Sequence, residues 1–267
     1  MKSLQACAIQ MISTPDVARN LATAKTLIAQ AVEAGAALIA LPEYFAIMGQ
    51  SDRDKLAHQE VYGTGPLQDF LAQSAREFGV YLVGGTIPLQ SKDAARVLNS
   101  CLVFNPDGDC VARYDKMHLF GFDSGNERFC ESDTIVAGQQ PVSFTSPWGR
   151  IGLAICYDLR FPELFRSVAD VDNWILPAAF TATTGRAHWE VLLRARAIEN
   201  QCFVIAPDQG GLHPTGRQTH GHSMIIDPWG QVLDCLAEGE GLVLAELKAS
   251  QLERVRKILP ALTHRVL

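Results

Sequence analysis

Three apolar runs in this chain end in a side chain able to do chemistry: Leu41-Pro42-Glu43-Tyr44, Tyr114-Asp115-Lys116-Met117-His118 and Gly152-Leu153-Ala154-Ile155-Cys156-Tyr157-Asp158. A thiol, a carboxylate and an ammonium form a self-consistent set for attack on a carbonyl. The thiolate is the nucleophile, the carboxylate takes its proton, and the ammonium faces the negative oxygen that forms. Each segment alone has an ordinary reading. A Glu or Lys after a strand is usually solvated, and a Cys closing an apolar run is usually a small core residue. The combination, each member directly after a strand where an α/β fold presents its ligands, points to hydrolysis or acyl transfer.

The elements that must position these residues alternate between short β-rich runs and longer amphipathic stretches, which predicts an interleaved α/β fold. Residues 4–9 read as a strand and 16–33 as a helix with Asp16 as N-cap and Gly35 as stop. Residues 37–41 form a continuous apolar run expected to be covered on both faces. Then come a helix at 67–78, a strand at 80–84 and a pair of strands at 101–104 and 111–114 joined by the Asn105-Pro106-Asp107-Gly108 turn. The second half reads as strand 150–155, helix 162–169, strand 174–177, helix 187–200, strand 202–206 and a hairpin of 223–226 with 231–236. Ala37-Leu38-Ile39-Ala40-Leu41-Pro42 is echoed by Trp174-Ile175-Leu176-Pro177. Two halves of similar layout predict two sheets packed face to face with helices outside, a four-layer α-β-β-α sandwich.

With 267 residues, 48% hydrophobic and 19% charged, the chain can bury one full core, and no linker or low-complexity tract divides it, so residues 1–267 read as a single domain. A formal charge of −6 argues against a nucleic-acid partner and for a small molecule. No stretch approaches the ~20 apolar residues of a membrane span, and the N-terminus lacks an apolar signal core, so the cytoplasm is the expected compartment. The seven cysteines have no paired spacing, which suits reduced thiols better than disulfides or zinc.

The three segments together resemble the Glu, Lys and Cys signatures of the nitrilase superfamily, the carbon–nitrogen hydrolases, with 114–120 and 156–163 as the clearest blocks. The resemblance runs over nearly the whole chain. It implies the α-β-β-α sandwich, extended across a homodimer interface, and a second glutamate between the Lys and Cys segments. The matching position is Glu131, with Glu127 nearby. Residues 131–138, 146–150 and 184–201 look closest to the Nit branch. That branch implies small carboxylate-bearing amides: deaminated glutathione first, with the ω-amidase substrate 2-oxoglutaramate as the alternative.

On this reading Glu43 activates Cys156, while Lys116 and the backbone N–H of Tyr157 hold the oxyanion. Collapse leaves a thioester that water resolves, and Glu131 holds Lys116 in place. A free thiol titrates near ~8.5, so either a cation favours the thiolate or its proton moves in concert with attack. No cofactor or metal is required. His118 could instead form a Cys-His pair, and His220-Gly221-His222 could bind a metal, but both read more simply as structural. Asp158, Arg160 and Glu163 read as an ion-pair network fixing the turn after the nucleophile. Arg186, His213 and Arg217 are the candidates to meet substrate carboxylates from loops. The rival from another class is a hydrolase-fold scaffold acting through partner binding.

Overall fold

A computed structural model of the chain describes residues 2–123, 125 and 128–266. The first sheet is built from β1 (Leu4–Gln10), β2 (Leu38–Ala40), β3 (Tyr81–Val83), β4 (Ile87–Gln90), β5 (Val97–Phe104) and β6 (Cys110–Asp115). A short hairpin of β7 (Gly121–Asp123) and β8 (Arg128–Cys130) stands apart from it. The second sheet contains β9 (Val142–Ser146), β10 (Gly149–Leu153), β11 (Asn173–Ile175), β12 (Phe203–Ala206), β13 (Ser223–Ile226) and β14 (Val232–Leu236). A last strand, β15 (Gly241–Leu247), returns to the first sheet and pairs antiparallel with β1.

Both sheets are mixed, with a parallel centre: β1-β2-β3 in one and β10-β11-β12 in the other. Alternation along β1 explains how the layers stack. Leu4, Ala6 and Ala8 point into a core shared with Ile151, Leu153, Ile175 and Ile205 of the second sheet. The intervening Cys7 and Ile9 pack instead under α1 (Val17–Glu33) and α2 (Pro66–Phe78). Helices α3 (Pro162–Ser167) and α4 (Ala182–Asn200) contribute Leu164, Phe165, Trp189 and Leu193 to the shared core from the opposite side. The order is therefore helix, sheet, sheet, helix, and α5 (Ala249–Ile258) follows β15.

Local chemistry accounts for the element ends. Asp16 caps α1 by accepting the Arg19 N–H at 3.1 Å, and Ala24, Leu27, Ile28 and Ala31 form the apolar stripe it buries. Helix α4 begins at Ala182, five residues earlier than its apolar periodicity suggests, so Arg186 sits on a helix and not on a loop. Strands β4, β9 and β15 and helix α5 were not anticipated. β4 carries Pro88, and α5 is dominated by polar and charged residues, which blurs both patterns.

The Leu-Pro echo has a structural meaning. β2 and β11 are equivalent inner strands, and both run through Leu-Pro into the region between the sheets. Gly85, at φ +51°, permits the approach on the first side: a Cβ there would lie 2.1 Å from the Pro42 carbonyl oxygen.

Candidate active site

Glu43 follows β2 and is 1% exposed. Its Oε1 accepts from Lys116 Nζ at 2.9 Å and from Asn99 Nδ2 at 2.8 Å, and its Oε2 accepts the Ala179 N–H at 3.0 Å. The Glu43 carbonyl is held by Gln209 Nε2 at 2.9 Å. Lys116 follows β6, where its N–H donates to Asn99 O at 3.0 Å, and its ammonium bridges Glu43 and Glu131, the latter at 2.8 Å. Glu131 opens a single 3-10 turn and also accepts from the Tyr44 hydroxyl at 2.9 Å and the Phe120 N–H at 2.7 Å. Glu127 lies outside the described residues.

Cys156 follows β10 after Ala154 and Ile155 and starts a 3-10 helix, Cys156–Arg160. Its backbone is left-handed, φ +48°, a conformation costing a non-glycine residue about 1–2 kcal/mol. That turn is held by Cys156 N–H to Pro177 O at 2.9 Å, the Leu-Pro end of β11. The Tyr157 N–H lies in the first turn and finds no acceptor among the described residues, so it is free to donate to a bound oxygen.

Burial and the neighbouring Glu43 charge push the Cys156 thiol up, with Lys116 only partly opposing them. The resting thiol is therefore protonated, which favours proton transfer in concert with attack over a standing thiolate. Burial disfavours the Lys116 ammonium, yet Glu131 and Glu43 outweigh it and raise its pKa. Burial likewise opposes ionisation of Glu131, and Lys116 with the Phe120 N–H overcomes it, so Glu131 titrates below its usual range. The site holds one buried cation between two carboxylates, beside a neutral thiol.

Three comparisons bear on this geometry. A model of the carbon-nitrogen hydrolase family matches residues 5–257. The chain belongs to the carbon–nitrogen hydrolase family. It is 45% identical to the deaminated glutathione amidase of Synechocystis sp., over 100% of this chain and 99% of that one. The human deaminated glutathione amidase is 42% identical over 96% of this chain and 80% of its own length. Among solved structures, Saccharomyces cerevisiae Nit3, a member of branch 10 of the nitrilase superfamily, superposes with a TM-score of 0.90 at 31% identity, covering 100% of this chain and 97% of that one.

In this carbon–nitrogen hydrolase the thiol opens into a pocket lined by Phe120, Tyr157, Arg160, Phe180, Thr181 and Thr184. Arg160 is the cation of that pocket. It lies over the rings of Tyr157 and Phe180, at 5.5 and 5.3 Å, with its Nη1 3.2 Å from His188 Nδ1 and no carboxylate partner among the described residues. The ion-pair network expected of Asp158, Arg160 and Glu163 is thus absent. Asp158 is buried and collects the Ile155 N–H at 2.8 Å, the Tyr114 hydroxyl at 2.7 Å and the His118 N–H at 3.0 Å, whereas Glu163 is exposed. A larger groove of about 460 Å³ around Arg96 and Arg113 has no cysteine in its lining, and its arginines already pair with Asp93 and Asp115.

The loop candidates separate. His213 is 2% exposed with both ring nitrogens engaged, to Ser13 O at 2.8 Å and Thr219 Oγ1 at 2.9 Å, and offers no donor to a pocket. Arg186 is exposed on α4 and does not line the thiol pocket. Arg217 is half-buried beside Tyr44 and Lys55. His220 and His222 stack on each other at 4.3 Å. Sequence reasoning missed Asn99, Gln209 and Ala179. Asn99 had a signal, a buried amide within the apolar run of β5, while Ala179 acts through its backbone and had none.

His118 bonds Asp158 at 2.6 Å through Nδ1 and stacks on Phe161 at 3.8 Å. It is a brace for the turn after Cys156. His118→Asn should leave kcat/KM within about tenfold of the parent, because loss of a general base costs ~10²–10⁴. A loss of that larger size in a folded variant would restore the histidine as base.

Proposed function

We propose that the protein is an amidase that hydrolyses a small carboxylate-bearing amide through a Cys156 thioester, with deaminated glutathione as substrate. The observation that carries this reading is the Glu43-Lys116-Glu131 cluster beside a thiol whose pocket presents one cation, Arg160, with no carboxylate partner among the described residues. The names of the relatives at 45% and 42% identity support the choice of substrate.

Cys156 Sγ adds to the amide carbon as its proton passes to Glu43 Oε2 or Oε1. The developing oxyanion is met by Lys116 Nζ and the Tyr157 N–H, each donor lowering the barrier by about 3 kcal/mol. Glu43 returns the proton to the departing amine, the C–N bond breaks, and a thioester remains. Glu43 then takes a proton from water as the water oxygen adds to the thioester carbon, and passes it to Cys156 Sγ as the C–S bond breaks, releasing the acid and restoring the thiol and the carboxylate. Glu131 keeps Lys116 pointed at Glu43. Arg160 pairs with the carboxylate of the acyl portion. The chemistry needs no metal or cofactor, and a thiol nucleophile suits the reducing cytoplasm.

We also infer a homodimer. Val191, Ile198 and Trp229, 65, 47 and 57% exposed, make an apolar outer surface over α4 and the turn after β13. Among the described residues no helix is long and apolar enough to cross a membrane.

The test is a side-by-side measurement of kcat/KM for deaminated glutathione and 2-oxoglutaramate, which share an acyl group. A preference of about tenfold or more for the former is expected. The reverse order would assign the chain to the ω-amidases, and inactivity on both would remove the substrate assignment.

A further inference from the structure

We propose that Lys55 and Arg217 form a carboxylate-binding subsite on the leaving-group side of the active site, selecting amides whose departing amine itself ends in a carboxylate. The inference rests on the amidase reading above and adds to it the group that separates one amide from another.

Lys55 stands on a short 3-10 turn, Asp54–His58, and is 8% exposed. Its Nζ has only Thr134 Oγ1 at 3.3 Å and the Tyr44 ring, 5.1 Å from centroid. Arg217 has a buried Nε without an acceptor, and its nearest carboxylate is Asp52 at 3.9 Å. Among the described residues neither cation has a carboxylate at hydrogen-bond distance. Both line one small cavity with Tyr44, Met48, Ser51 and Asp52. A buried cation without a partner is costly unless something of opposite charge visits it. Desolvation accordingly pulls the Lys55 pKa down, and a bound anion would restore it. The Asp52 side chain, 54% exposed, is the weak counter-ion such an anion would displace.

The position of the cavity indicates which part of the substrate it meets. Glu43 protonates the departing amine, so the leaving group lies on the Glu43 side, and the next residue, Tyr44, is the floor beneath Lys55. Tyr44 also donates to Glu131, which joins the cavity to the catalytic cluster. Along the other wall the Arg217 guanidinium lies 5.6 Å over Phe129, Phe129 packs 5.6 Å from Phe120, and Phe120 lines the thiol pocket. Arg160, within that pocket, is left for the acyl carboxylate. Deaminated glutathione has both features: a 2-oxoglutaryl acyl group with a carboxylate, and a cysteinylglycine leaving group that ends in another. In 2-oxoglutaramate the leaving group is ammonia, with nothing for Lys55 and Arg217 to hold.

The experiment compares wild type, Lys55→Met, Lys55→Arg and Arg217→Met on three amides: deaminated glutathione, its C-terminal glycinamide form, and 2-oxoglutaramate. The two methionine variants should lose about tenfold or more in kcat/KM on deaminated glutathione, mainly through KM, and less than about threefold on 2-oxoglutaramate. Lys55→Arg should retain most activity, and the wild type should handle the glycinamide form as poorly as the variants handle the parent acid. Equal losses on all three amides would mean that the cations act only through Glu131 or the fold, and no loss on any would mean that they bind nothing. Either result overturns the subsite and leaves the amidase standing. A wild-type enzyme silent on every amide would remove the substrate assignment and the subsite together.

Discussion

Cys156→Ala should abolish amide turnover, with kcat down by at least about 10⁴-fold, while the protein stays folded. Among the pocket's lining residues Cys156 supplies the only thiol, the strongest nucleophile there. Alanine keeps the same left-handed backbone at φ +48° and removes one heavy atom from an 8% exposed position, so stability should change by only about 1 kcal/mol. Product release and intact-protein mass under substrate measure the two halves of the claim. The wild type should accumulate a mass equal to the acyl group, and the variant should show none. Turnover by the alanine variant within tenfold of the parent would sink the thioester mechanism outright.

Lys116→Met is expected to be both inactive and markedly less stable. Among the described residues the ammonium is the only cation in ion-pair contact with Glu43 and Glu131, and Glu43 and Lys116 are withdrawn from water while the Glu131 side chain keeps 13% of its surface exposed. Removing one partner of a buried ion pair typically costs about 3–5 kcal/mol, because the carboxylates left behind keep their desolvation penalty. The pH dependence has a definite sign. In the parent, Glu131 titrates below its usual range, so its stabilising contribution exists above the unfolded value of ~4.3 and is lost as pH falls through the lower folded value. Without Lys116 the buried carboxylates prefer to be protonated, so the variant's deficit is largest at neutral pH and shrinks toward acid. Denaturant melts at pH 7 and pH 5 would measure this. Adding Glu131→Gln to Lys116→Met should recover stability without recovering activity, whereas a deficit independent of pH would show that lost packing, and not charge, is responsible.

Glu43, Lys116 and Cys156 could be singled out in the sequence because each directly follows an apolar run, and strand ends are where such a fold exposes its reactive side chains. The inner strands β2, β3, β11 and β12 were legible for the same reason: buried on both faces, they leave continuous apolar stretches. What stayed hidden depended on tertiary approach. The Ala179 amide reaches Glu43 across 136 positions of chain, and no side-chain pattern reports a backbone donor. Arg160 looked like part of an ion-pair turn because its neighbours are charged, yet Glu163 points to solvent and the guanidinium turns onto Tyr157 and Phe180. Lys55 had no signal at all. It lies in the polar stretch 51–58, and only the fold carries its ammonium onto the Tyr44 ring.

The division of the site between sheets has a consequence for synthesis on the ribosome. Glu43 and Lys116 follow strands of the first sheet, Cys156 and the Ala179 amide follow strands of the second, and the first sheet gains its edge only when β15 pairs with β1 over Leu4–Gln10. A partly translated chain therefore carries Glu43 and Lys116 long before Cys156 exists, and carries the thiol before the sheet that must face it has its edge strand. Hydrolytic competence arrives late in translation, after the chain has come back to its own beginning, and a product truncated before β15 carries Glu43, Lys116 and Cys156 together without the strand that completes the sheet behind the first two.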